Sequence, residues 1–290
     1  MGCTGSCGAG DYAGTVRPAP EADGGGAAVR RYARLWLRFA ATEVARLTEY
    51  RLNFATTVVE GVAQTALAVL TFVVLFQFTD ELAGWSRMEA LMLAGCYRMV
   101  DGVVAAAIAP NMYSISGYIR RGEMDFMLLR PVSSQFLVSF RRLNLPEAVN
   151  IPIGLGLLLY AGSAAGVQPT VGGILTAGLY VLLGLVMLYS VWFMTVTCSF
   201  WLVQVDNLDA LFAPLFDAGR YPVSFFSGWM RALLTFVIPV AFATTFPVEA
   251  MLGERDASAL LFGVPLAAAG LLLSHLLWNY AVRHYSSASS

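Results

Sequence analysis

Five stretches of the chain are each long and apolar enough to cross a lipid bilayer: Asn53–Phe78, Met88–Met112, Phe136–Ala161, Val171–Val203 and Ala257–Val282. A spanning helix needs about 20 mostly apolar residues. Composition agrees, because only 13% of the 290 residues are charged and 58% are hydrophobic, whereas a soluble chain carries about a quarter charged residues. The expected fold class is therefore an all-α integral membrane protein, and soluble enzyme classes drop out. Residues 204–250 are harder to place. Trp229–Val248 is apolar but holds Pro239 and Pro247, and Asp206–Phe226 holds Asp206, Asp209, Asp217 and Arg220. Each such charge costs about 2.5–3.5 kcal/mol at a bilayer centre. One piece is expected to cross and the other to be interfacial or re-entrant, and either choice makes six transmembrane helices.

The arginines orient these spans. With the N-terminus in the cytoplasm, that side holds Arg30, Arg31, Arg34, Arg38, Arg46, Arg51, Arg120, Arg121, Arg130, Arg141, Arg142 and Arg283. The opposite loops hold Arg87 and Arg255 beside Asp80, Glu81, Glu254 and Asp256. The positive-inside rule then puts both termini in the cytoplasm, in a multi-pass protein of the cell's inner membrane. The outer loops are short, which leaves no room for a catalytic or receptor domain.

Several chemistries are excluded. All 18 basic residues are Arg, so the chain has no P-loop lysine for ATP hydrolysis and no lysine for Schiff-base chemistry. The Ala-, Gly- and Arg-rich composition points to a GC-rich bacterial source. A net charge of −1 offers no basic field for nucleic acid. Cys3, Cys7, Cys96 and Cys198 match neither a disulfide framework nor a zinc site. His275 and His284 are the only histidines, so no multi-histidine metal site is expected. An intramembrane hydrolase would have to use Ser227 with one of these histidines, and no triad pattern surrounds them.

Residues 1–28 are Gly-rich and read as a disordered tail. Its start, MGCTGS, matches a loose myristoylation pattern with Cys3 as a palmitoyl position. Residues 29–51 read as an amphipathic helix on the inner leaflet, with Arg31, Arg34 and Arg38 at helical spacing and Trp36, Phe39, Ala40 and Leu47 on other faces. Residues 52–285 would be the six-span membrane domain and 286–290 a cytoplasmic C-terminal tail.

Two groups of residues could carry mechanism. In the loop after the second span, Gly122 can open a short helix and Pro131 end it. Glu123 and Asp125 then sit in its first turn and Arg130 at its end, as the helix dipole favours. Phe126, Met127, Leu128 and Leu129, which follow Met124, would be presented as an apolar knob rimmed by charge, the pattern of a docking surface. Within the spans, Arg98 and Asp101 stand at i,i+3 and can pair. Glu60 has no obvious local partner and could attract a cation. The three form a possible translocation path, with a structural pair as the other reading. Asn144, Glu147 and Asn150 cluster around Pro146 and Pro152 as a kinked entrance with a packing role. Trp192, Phe193, Trp201, Phe225 and Phe226 read as an interfacial aromatic belt.

The run IRRGEMDFMLLRPVSS resembles the cytoplasmic loop of type-2 ATP-binding-cassette permeases, and in particular a six-span bacterial subfamily with the form R-x-G-x-[LM]-D-x-x-L-L-R-P-[VL]-S. RYPVSFFSGWMRALLTFVIPVAFATTFPVEAMLG is similar to that subfamily's fifth-span region, and RHYSSAS to its closing motif. The resemblance runs from about Arg30 to Ser289. It implies a permease half with an N-terminal elbow helix. A second permease subunit, identical or different, would pair with it, and cytoplasmic ATPase subunits would bind below. ATP and magnesium would sit on those partners, with no cofactor on this chain and membrane lipid around it. Residues 123–130 would be the coupling helix seated in the ATPase. Export of an amphiphilic or drug-like compound, or a lipid, is the implied activity, as in multidrug efflux. The competing reading is an ATP-independent secondary transporter or channel using Arg98, Asp101 and Glu60.

Overall fold

The structure is a computed structural model; it describes residues 25–49, 51–130, 132–201 and 206–285. Residues 1–24 of the expected tail 1–28, with its lipidation pattern, Pro131 and the C-terminal residues 286–290 lie outside the described residues. The chain divides into two compact units, residues 1–38 and 39–290. Helix α1 covers Gly25–Glu49, so it starts four residues before the expected Val29. In the first unit Arg34 Nε donates to the Arg30 carbonyl at 3.3 Å, and Trp36 and Leu37 are exposed.

Among its described residues the second unit is built of helices joined by short loops, with one isolated bridge between Leu82 and Trp85. Helix α2 is Arg51–Leu75. Helix α3, Arg87–Val103, opens on a capping box in which Ser86 accepts from the Glu89 N–H and the Glu89 side chain accepts from the Ser86 N–H. A π-turn, Val104–Ile108, joins it to α4, Ala109–Arg120, in one run from Arg87 to Arg120. The π-turn has an identifiable cause. Pro110 has no N–H, so it leaves the Ala106 carbonyl without its helical donor. That carbonyl instead accepts from the Asn144 N–H at 2.8 Å.

Helix α5 is Glu123–Leu128, and α6 is Ser134–Phe140. The expected single span Phe136–Ala161 is interrupted here. The Asn111 amide donates to the Arg142 carbonyl and accepts from the Arg142 N–H, both at 2.8 Å. These bonds hold residues 141–144 out of helix, and a 3₁₀ turn, Leu145–Val149, then leads into α7, Asn150–Ala164. The third long apolar helical run is therefore Leu145–Ala164. Helices α3 and α7 approach closely at glycines: a Cβ on Gly154 would lie 2.4 Å from the Met99 nitrogen, and one on Gly95 2.5 Å from that of Leu158.

Helix α8, Val171–Thr197, is capped by Thr170 and followed by a 3₁₀ turn at Cys198–Phe200. Its inner face builds the larger core with Tyr180, Trp192 and Phe193, packed against Phe242 and Trp278. Trp192 and Phe193 are thus core residues rather than part of an aromatic belt, while Trp201 and Phe225 are exposed. A second core gathers Phe72, Trp85, Leu91, Met92, Leu158 and Val248.

Residues 206–252 contain no helix longer than twelve residues. They form α9 Asp206–Asp217, α10 Gly228–Ala232 with a π-turn at Leu233–Val237, α11 Val240–Ala243 and α12 Thr245–Leu252. Neither Asp206–Phe226 nor Trp229–Val248 is one continuous helix: Pro222 and Pro239, which have no N–H to donate, stand at breaks, whereas Pro214 and Pro247 lie within α9 and α12. Along α8, Phe212 stacks on Trp192 near one end, Ala243 packs on Gly184 near the middle, and Ala250 meets Gly173 at the other end. Between these points the chain reaches the α2–α3 connection, where the Ser224 hydroxyl donates to the Ala83 carbonyl at 3.2 Å. Helix α13, Leu260–Arg283, closes the bundle against α8. Five helical runs among the described residues are long and apolar enough to span a membrane.

Candidate functional site

The polar residues inside the apolar runs converge. Arg98 on α3 has a side chain only 9% exposed, and its guanidinium binds three segments at once. Nη1 donates to Asp101 Oδ2 at 2.8 Å and to Gln64 Oε1 on α2 at 3.0 Å. Nη2 donates to Asn150 Oδ1 at 3.0 Å and to the Gly61 carbonyl at 3.4 Å. The network continues at both ends: Asn150 Nδ2 donates to Glu147 Oε2 at 2.8 Å, and Gln64 Nε2 donates to Glu60 Oε1 at 3.0 Å. Glu60, Arg98 and Asp101 are therefore members of one network, and Glu60 has a local partner after all, Gln64 at i+4 on the same helix. Asn150 and Glu147 belong to it as well. Asn144 uses its backbone N–H at the π-turn instead.

A second ion pair lies beside the first. Arg220 Nη2 is 3.0 Å from Asp217 Oδ1, the Tyr97 hydroxyl donates to the same oxygen at 2.6 Å, and the guanidinium lies 5.1 Å over the Tyr97 ring. Tyr97 adjoins Arg98 in sequence, so two pairs are anchored on one turn of α3. In sequence Asp217 and Arg220 registered only as charges resisting insertion, at i,i+3. That spacing was the available sign that they neutralise each other.

Two cavities flank the pairs. One, of about 320 Å³, is lined by Arg98 and Arg220 with Gln64, Tyr97 and Tyr221. The other, of about 350 Å³, is lined by Asp101, Glu147 and Asp217, and by Tyr113, Trp192, Phe212 and Phe216.

The short helix after α4 forms a separate feature. Gly122 takes φ 69°, a left-handed conformation that favours glycine, and turns the chain sharply out of α4. Arg121 pairs with Glu123 at 2.6 Å. On α5, Met124 and Met127 are buried, at 0% and 4% exposure, while Phe126 and Leu129 are 72% and 82% exposed. The sequence suggested that Met127 and Leu128 would be presented too. The i,i+3 spacing instead puts Met124 and Met127 on one face, against the core that includes Ile115 and Tyr118, and Leu128 is half-buried. Asp125 is half-buried and Arg130 exposed.

The histidines do not build a hydrolytic site. His275 Nδ1 is 2.7 Å from Gln135 Oε1 and its Nε2 is 2.9 Å from Asn279 Nδ2, while His284 Nδ1 bonds the Tyr280 carbonyl. No group of three metal-ligating side chains forms among the described residues.

A family model described as an ABC-2 family transporter protein matches residues 62–289. The chain belongs to the ABC-2 transporter family. The match takes in the α5 loop, both ion pairs and the broken region 206–252; Glu60 and Gly61 lie just before it. No match was found among curated proteins or solved structures. An ABC-2 permease is a multi-pass membrane subunit, not the ATPase, and its family role implies an ABC ATPase partner. The geometry suits that role: this site offers ion pairs, cavities and a protruding apolar helix, all means of binding and movement.

Proposed function

We propose that this chain is one permease half of an ATP-driven exporter. It pairs with a second permease subunit, identical or different, and alternates between inward and outward access. Its cargo is an amphiphilic or drug-like compound or a lipid. ATP and magnesium are held by cytoplasmic ATPase subunits. Both termini lie on the cytoplasmic side of a bacterial inner membrane, as the arginine distribution favours. The sixth passage is composite, with α9 and α12 covering different depths beside α8.

The observation that carries the reading is the split character of α5. Phe126 and Leu129 point into the surroundings while Met124 and Met127 fasten the same helix to the core. Glu123, Asp125 and Arg130 rim the exposed pair, so the segment fits a lever that is gripped from outside and fixed to the bundle. Apolar side chains exposed among charges mark a binding surface. The exposed Phe126 and Leu129 are the contacts seated in the ATPase, and Glu123–Arg130 is the coupling segment. Purifying the tagged chain from its own cells in mild detergent tests this. A P-loop ATPase should co-purify with the native chain, and Phe126→Asp should lose it while remaining inserted. An Phe126→Asp variant that keeps the ATPase and couples hydrolysis to transport as the native chain does refutes the docking role. The four hydrogen bonds that fix the Arg98 Nη atoms to Asp101, Gln64, Asn150 and the Gly61 carbonyl speak against an ATP-independent ion path through Glu60, Arg98 and Asp101.

A further inference from the structure

The two ion pairs are sorted by charge. Arg98 and Arg220 line one cavity, and their partners Asp101 and Asp217 line the other. Glu147 adds a third carboxylate to the second cavity, and the hydrogen bond it accepts there comes from a neutral amide, that of Asn150. Among the described residues no guanidinium lines that cavity. A ligand in it meets the negative ends of both pairs at short range and the positive ends only across them.

The walls favour the same sign. Trp192 and Phe212 are stacked with centroids 4.8 Å apart, and Tyr113 meets Trp192 edge-on at 5.3 Å. Aromatic faces attract cations and repel anions, and they offer dispersion contact to an apolar body. A volume of about 350 Å³ is that of a small-molecule site. The three carboxylates do not converge as a metal-binding group, so a bare divalent ion is not the fitting occupant.

We propose that this cavity binds a monovalent organic cation with a bulky aromatic body. Glu147, Asp101 and Asp217 hold the charge, and Tyr113, Trp192 and Phe212 hold the rings. The proposal rests on the permease reading only in making this compound the cargo; the binding site stands on the isolated chain.

Tetraphenylphosphonium and tetraphenylborate have nearly the same shape and opposite charge, which makes them suitable probes. Binding of each to the purified full-length chain in detergent is read by equilibrium dialysis. Tetraphenylphosphonium should bind saturably and at least about tenfold more tightly than tetraphenylborate. Glu147→Gln should weaken it by about tenfold, and Tyr113→Leu, at a position 51% exposed, by about fivefold. Asp80→Asn, in a distant loop, serves as the unchanged control. Equal binding of the two ions overturns the proposal. So does native affinity in both Glu147→Gln and Tyr113→Leu, each checked as monodisperse. If Glu147→Gln fails to fold, the ion pair and Tyr113→Leu still decide. Because no ATPase is needed, a negative result leaves the permease reading intact, and loss of the ATPase partner in co-purification would leave a positive result standing.

Discussion

Removing Arg98 should cost more than removing Arg98 and Asp101 together with apolar replacements in their place. The guanidinium is 9% exposed and makes four hydrogen bonds, three of them to other segments: Gln64 and Gly61 on α2, and Asn150 on α7. Interhelical hydrogen bonds in membranes average about 0.6 kcal/mol each, so those three account for about 2 kcal/mol. Arg98→Met also leaves Asp101, 24% exposed, without its counter-ion, and breaking a buried pair from one side costs about 3–5 kcal/mol. The two estimates overlap, since part of the second is the loss of the same bonds, and about 3–4 kcal/mol is expected for Arg98→Met. In Arg98→Met/Asp101→Leu no orphan charge remains, and the loss should fall to about 2 kcal/mol, the interhelical bonds alone. The assay is a double-mutant cycle on unfolding of the purified chain in mixed micelles. Single-variant losses below about 0.5 kcal/mol, the usual bound for an unimportant surface change, would refute the argument. So would strictly additive costs, which would mean that Asp101 does not depend on Arg98.

Four further outcomes follow from particular residues. Gly154→Ala should destabilise the α3–α7 seam by about 1–3 kcal/mol, because its Cβ would meet backbone at 2.4 Å, whereas Gly156→Ala on the same helix meets nothing within 4 Å and should stabilise by about 0.5–1 kcal/mol; thermal melts of both variants check the contrast. Leu129→Asp, at the other exposed position of α5, should leave insertion intact and abolish ATPase stimulation by cargo in reconstituted vesicles. Burial and the neighbouring Glu89 and Glu249 raise the Glu254 carboxyl above 4.5. The folded chain therefore binds that proton more tightly than the unfolded one, so stability declines as pH rises from 4.5 through the raised value, and Glu254→Gln should flatten the decline in a melting-temperature series. Pro110→Ala restores the donor missing from the helix, competes with Asn144 for the Ala106 carbonyl, and should straighten the π-turn; hydrogen exchange at Asn144 should quicken, and unchanged exchange would show that the turn has another cause.

Features governed by local composition were legible from sequence. The five long apolar runs depend on length and hydropathy, and the helix after Gly122 depends on short-range residue choice. Arg98 and Asp101 could be paired because i,i+3 neighbours share a face. Less legible was whatever depended on distant residues. The break at 141–144 is made by Asn111 and Pro110, some thirty positions earlier, so an apolar count across Phe136–Ala161 reads through it. The burial of Met127 follows from where α4 directs the chain, which the turn at Gly122 decides. Tyr97 drew no attention because a lone phenol in an apolar run carries no sign of a partner 120 positions away, whereas Gln64, at i+4 from Glu60, was legible and was missed. Trp192 and Phe193 were misplaced as a belt because hydropathy does not distinguish lipid-facing from core-facing aromatics in a chain apolar on all sides.

These particulars place the exposed knob and the charged pairs on one mechanical element. Met124 and Met127 fasten α5 into the core that includes Ile115 and Tyr118 of α4, and α4 continues through the π-turn into α3, which carries Tyr97, Arg98 and Asp101. A displacement applied at Phe126 therefore acts on the helix that holds both ion pairs. The π-turn lies between them, with its freed carbonyl tied to Asn144 and Asn111 clamping Arg142. On the far side, α3 is locked to α7 by backbone contact at Gly95 and Gly154, a seam with no slack to absorb bending. Motion of α4 relative to a rigid α3–α7 pair would thus concentrate at residues 104–108, beside the wall of the carboxylate-lined cavity that Val104 and Tyr113 share. If Pro110→Ala leaves binding unchanged but lowers cargo-stimulated ATP hydrolysis, the π-turn is the hinge between α5 and that cavity; if both are unchanged, α3 and α4 move as one rod.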